Sequence, residues 1–151
     1  MSIELLLGHA ALGGLFILSS LWVLVEGLNA GPANVTRIRA AAVLAAALMW
    51  AVMVLGGWYY IVYYPAEKAL ILKGPWPFAH KFVMETKEHL LLLAWILATY
   101  LPFVAFDKVE EKGAARTVLC WVAALSALTG LAADAAGAVI VLGAKLTVLP
   151  K

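Results

Sequence analysis

Four apolar runs of membrane-crossing length, separated by short polar stretches, dictate what this chain can fold into. A helix needs about 20 predominantly apolar residues to cross a bilayer's hydrocarbon core, and runs of that kind lie at approximately 5–28, 38–64, 78–106 and 117–142. Lipid offers no water to an exposed N–H or C=O, so each run must satisfy its own backbone as an α-helix. Composition agrees, because 65% hydrophobic and 13% charged residues leave too little polar surface to solvate a globule. At 151 residues the chain is read as one integral-membrane domain, 1–151. The expected fold class is all-α: a four-helix transmembrane up-down-up-down bundle with an interfacial segment between helices 2 and 3.

The beginning of the chain, Met-Ser-Ile-Glu, carries no basic region, and Leu28-Asn29-Ala30 is a poor cleavage site, so the first run is read as a retained helix rather than a signal peptide. Gly31-Pro32 marks the first loop by its turn chemistry. The second run ends in Trp58, Tyr59, Tyr60, Tyr63 and Tyr64, residues suited to a membrane interface, and Pro65 stops it. Residues 66–76 form the longest connection, with apolar side chains that favour lying along the interface. Pro77 is placed to open the third helix, and Pro102 to kink its far end.

Both termini and the long connection then share one side, with Lys68, Lys73, Lys81, Lys87, Lys145 and Lys151, while Arg37, Arg39, Lys108, Lys112 and Arg116 share the other. The basic residues nearly balance. Arg37 and Arg39 following an uncharged N-terminal end point to that second side as cytoplasmic, giving an integral protein of bacterial inner-membrane type with external N- and C-termini. A net charge of +2, scattered along the chain, excludes nucleic acid as a partner. Cys120 is the single cysteine, so neither an internal disulfide nor covalent haem attachment is encoded.

Titratable residues inside such a chain are the first place to seek function. His9 lies about one turn into the first helix and His89 about one turn into the third, at similar depth on helices that run the same way. Two such imidazoles can ligate one haem iron, or both can bind another metal. Around that level large side chains are missing from three helices, at Gly13, at Gly56 and Gly57, and at Gly137 beside Asp134. Stripped walls either close into tight helix contacts or enclose a guest, and a flat macrocycle, a lipid or a carotenoid would fill the gap. Asp134 is placed to hydrogen-bond the ring N–H of a ligating histidine, with a proton-relay role as the competing view.

His80 precedes His89 by about two and a half turns and falls on the opposite face of a straight helix, which makes it a wet interfacial residue unless the helix breaks and lets it replace His89. Glu85 and His89 share a face at i, i+4, and with Glu88, Met84 or His80 they are alternative metal ligands. The Glu-x-x-His pair of di-iron bundles is absent. Solvated first-turn acids at a helix N-terminus are the plainer reading of Glu85 and Glu88.

The pairing of His9 with His89 in a glycine-walled four-helix membrane chain resembles the membrane b-type cytochromes, in architecture and histidine placement rather than in any motif. That resemblance implies one non-covalent haem b per chain, since three histidines allow only one bis-histidine site. It also implies electron transfer between quinol and a redox protein, with a bound quinone and further membrane subunits as companions to the lipid bilayer. A bis-histidine iron has no open position, so transfer is expected rather than oxygen chemistry, and no catalytic residue is assigned. Two readings of other classes stand beside it: a metal-ion or proton carrier using His9, Glu85, Glu88, His89 and Asp134, and a cofactor-free structural subunit of a larger membrane complex.

Overall fold

A computed structural model describes residues 3–147 and is all-helical over them. Lys151, counted above with the basic residues of one side, lies outside the described residues, as do both chain ends. The helices are α1 (Ile3–Leu28), α2 (Val35–Val62), the short α3 (Tyr64–Lys73), α4 (Glu85–Ala105) and α5 (Gly113–Leu146). One wide π-helical turn, Ala79–Met84, leads directly into α4. Four of these helical stretches are long and apolar enough to cross a membrane.

The expected boundaries differ from the observed ones mainly at α5, which starts earlier and ends later than its apolar core. Arg116 and Lys145 are good helix formers, so the helix does not stop where hydrophobicity does. The long connection is an ordered helix over most of its length. Pro65 falls in the first turn of α3, where its missing N–H costs nothing. α4 continues through Pro102 to Ala105.

α1 packs on α2 and α5, and α4 packs on the same two helices. Their contact stripes are small: Ala41, Ala42 and Ala45 on α2, Ala94, Ala98 and Ala105 on α4, Ala123 and Ala127 on α5, all buried. Small residues let backbones approach closely and gain dispersion contact, the main attraction available between helices in lipid. Larger core residues fit into gaps. Phe16 is fully buried over Gly130, where an added methyl would lie 2.8 Å from the Phe16 ring. The outer surface is apolar instead of polar, with Ile61 75%, Phe103 72% and Trp121 66% exposed, which in water would be untenable and in lipid is required.

The two interhelical loops at one end are tied by charge. Asn34 accepts from the Gly31 N–H at 2.8 Å and donates to the Glu26 carboxylate at 2.7 Å, and Arg37 donates to Glu26 at 2.8 Å. Arg39 reaches from α2 to Glu110 at 3.0 Å and donates to the Ala105 carbonyl at 3.3 Å. At the other end α3 is pinned by side chains. The Tyr59 hydroxyl donates to the buried Glu67 carboxylate, and the Tyr64 hydroxyl meets His80 Nδ1 at 2.9 Å. Burial, then the neighbouring Tyr60, Glu88 and Glu67, push the Tyr64 hydroxyl above its ordinary range, which keeps it a phenol.

Candidate functional site

At the α3 end of the bundle three polar side chains each lie over a glycine of a neighbouring helix. The His9 ring of α1 sits on Gly56 of α2, so close that a methyl there would be 2.6 Å from His9 Cε1. The Asp134 carboxylate of α5 lies on Gly13 of α1, with Oδ1 2.8 Å from where a Cβ would be. The Lys87 ammonium of α4 lies on Gly137 of α5, with Nζ 3.2 Å from where a Cβ would be. Three of the four glycines singled out in the sequence thus make room for the protein's own polar groups. Gly57 has open space beside it.

All three polar groups border one cavity of about 870 Å³, together with Gly56, Gly57 and Gly137. Tyr59, Tyr60, Tyr64, Glu67 and Glu88 complete its polar rim, while Leu6, Met53, Leu91 and Ile140 are among its apolar walls. Leu7, Ile61 and Leu142, which also line it, are exposed on the outer surface, so the cavity opens sideways toward lipid. Lys87 is near enough to bear electrostatically on both His9 and Asp134. His9 Nδ1 is buried without a hydrogen-bond partner; the Val52 carbonyl lies near the ring but forms no bond of good geometry. An unpaired buried ring nitrogen is costly.

His89 is elsewhere. It is exposed, its Nδ1–H donates to the Glu85 carbonyl at 2.7 Å, and it does not line the cavity. The cause is helical register. The stripe of α4 that continues the buried Ala94, Ala98 and Leu101 runs back through Leu91 and Lys87 to Met84, and position 89 lies about 200° around the helix from position 87. The expected convergence of His9 and His89 on one iron is therefore corrected: the two rings do not share a site, and the residues do not fit a bis-histidine haem.

The alternative ligands fare similarly. His80 is half-buried against Tyr64 and lines no part of the cavity, and Glu85 is exposed on the His89 face. Glu88 is at the cavity rim. Among the described residues no three His, Cys, Asp or Glu side chains gather as a metal site would require. Asp134 faces Lys87 and Gly13 rather than serving as partner to a ligating histidine. Lys87 is the site residue that sequence reasoning passed over, having been taken as a solvated boundary residue. Its signal was present in the small-residue stripe, which places 84, 87 and 91 on one face. Comparison with family models, with curated proteins and with solved structures gives no match.

Proposed function

We propose that this is a membrane protein that takes an amphipathic, neutral-headed small molecule laterally from the bilayer, and that a quinone or quinol is the class its cavity suits best. The observation that carries this reading is the gathering of His9, Lys87 and Asp134, from three different helices, around one lipid-facing apolar cavity. Lys87 supplies N–H donors for a quinone carbonyl, Asp134 supplies acceptors for a quinol hydroxyl, and the His9 ring borders the same space. A fatty acid or phospholipid head would meet Lys87 but also Asp134, Glu88 and Glu67 on the same wall. A cationic head would meet Lys87 and Lys145. A neutral head able both to donate and to accept avoids either repulsion, and the apolar remainder of the wall suits an isoprenoid or alkyl tail.

In this reading the four long helices run up-down-up-down. Gly8 beside Leu55, Gly13 beside Asp134 and Gly27 beside Leu119 are the pairs that antiparallel neighbours make. In that arrangement the cavity and α3 share one end of the bundle and the Arg39–Glu110 pair lies at the other.

The test is extraction of lipids from protein purified in mild detergent, with quinone quantified by its ultraviolet absorbance. The wild type is expected to retain quinone, and Gly57→Leu, which fills the open part of the cavity without touching His9, is expected to lose it while remaining folded. Equal retention by both proteins, or none by either, would overturn the proposal. A reduced-minus-oxidised spectrum of the same sample showing a b-type band would point back to haem.

A further inference from the structure

The opposite end of the molecule carries a second, independent feature. Five cationic side chains lie there, and four have a carboxylate: Arg37 with Glu26 at 2.8 Å, Arg39 with Glu110 at 3.0 Å, Lys108 with Glu111 at 3.7 Å and Lys112 with Asp107 at 2.7 Å. Each acid of that end is already taken. Among the described residues Arg116 is the cation of this end with no carboxylate within ion-pair distance. Its Nε is buried and has no hydrogen-bond partner, an arrangement that costs free energy unless a ligand supplies an acceptor.

Arg116 borders a groove of about 400 Å³ between α1 and α5, walled by Leu24, Leu28, Thr117, Cys120 and Trp121. Leu28 and Trp121 are 60% and 66% exposed, so the groove faces the lipid along its length. Arg116 lies in the first turn of α5, where the helix dipole adds to its positive field.

We propose that this groove holds an anionic phospholipid, its phosphate accepting from the Arg116 guanidinium and its acyl chain lying along Leu24, Leu28 and Trp121. A guanidinium fork matches two phosphate oxygens, which a point charge does not. A lipid rather than a soluble phosphate is favoured because the rest of the wall is apolar and continuous with the bundle's outer surface. An anionic rather than a zwitterionic lipid is favoured because this end carries one cation in excess and no free carboxylate to meet a choline or ethanolamine ammonium.

The probe is phosphatidylglycerol against phosphatidylcholine, presented in mixed micelles to the purified full chain, with bound lipid counted by native mass spectrometry. Wild-type protein is expected to prefer phosphatidylglycerol by about tenfold, the scale of charge-assisted hydrogen bonds on a partly buried phosphate. Arg116→Gln should abolish the preference, and Lys108→Gln should leave it unchanged. If Arg116→Gln does not fold, Arg116→Lys serves, with an expected several-fold loss because the charge stays while the fork is gone. An unchanged preference in either Arg116 variant would overturn the proposal. So would inorganic phosphate displacing the lipid at millimolar concentration, which would assign the site to a soluble anion.

Discussion

Gly56 and Gly57 are adjacent in sequence and should respond to the same substitution with opposite sign. A methyl group at Gly56 would stand 2.6 Å from His9 Cε1, nearly 1 Å inside ordinary van der Waals contact, whereas a methyl at Gly57 would meet nothing within 4 Å. The ring lies against Gly56 on one side and borders the cavity on the other, so relieving the clash means displacing it toward the space that Lys87 and Asp134 also line. Overpacking of this kind costs about 1–3 kcal/mol. Against that, Gly→Ala in a helix interior returns roughly 0.5–1 kcal/mol by either route. Gly56→Ala should therefore destabilise by about 0.5–2 kcal/mol, and Gly57→Ala should stabilise by up to about 1 kcal/mol. For a chain of this size 1 kcal/mol moves a midpoint by about 2–4 °C, so the two variants, which differ by the overpacking term, should differ by roughly 2–12 °C in thermal unfolding in mild detergent. Gly137→Ala should fall between them, since its close neighbour is the movable end of Lys87 at 3.2 Å. Equal midpoints for Gly56→Ala and Gly57→Ala would refute the claim that the His9 ring rests on Gly56.

Other consequences follow from the same geometry. Lys87→Met removes the cation facing Asp134 and should cost about 1–3 kcal/mol, because a carboxylate in a largely apolar cavity is left uncompensated, and Asp134→Asn in the same chain should recover much of it in a double-mutant cycle; additive losses would contradict a Lys87–Asp134 coupling. Tyr64 is held as a phenol by burial, so the folded state keeps a proton that the unfolded chain begins to release near pH 10. Stability should accordingly fall as pH rises above about 10, less steeply in Tyr64→Phe, which unfolding midpoints measured across that range would check.

The spans were legible because their signal is summed over some twenty residues each, and no other secondary structure satisfies a backbone in lipid. The interior location of His9 was legible from Gly13 one turn below it. What was not legible was the face of α4. Histidine chemistry drew attention to position 89, while the inward face is set by a weaker but longer pattern, the buried Ala94, Ala98 and Leu101 extended back to Lys87. A lysine near a helix end reads as a boundary marker because such side chains usually extend to water, and only the neighbouring Gly137 and Asp134 hold this one inward. The glycines were read correctly as missing volume, but most of that volume is taken by the protein's own polar side chains. Residues 66–76 read as an interfacial segment from their apolar side chains, while the bonds that fasten the helix there, Tyr59 to Glu67 and Tyr64 to His80, join it to residues distant in sequence.

The central claim is that Lys87, and not His89, faces the cavity beside α5. Replacing Cys120 by Ser and introducing cysteine pairs, one at Gly137 and the other at position 87 or 89, allows a direct test with a short bifunctional thiol reagent on membranes. Cross-linking of Lys87→Cys to Gly137→Cys with little or none for His89→Cys to Gly137→Cys is the result expected. The reverse pattern would turn α4 around, return His89 to the interior and contradict the account.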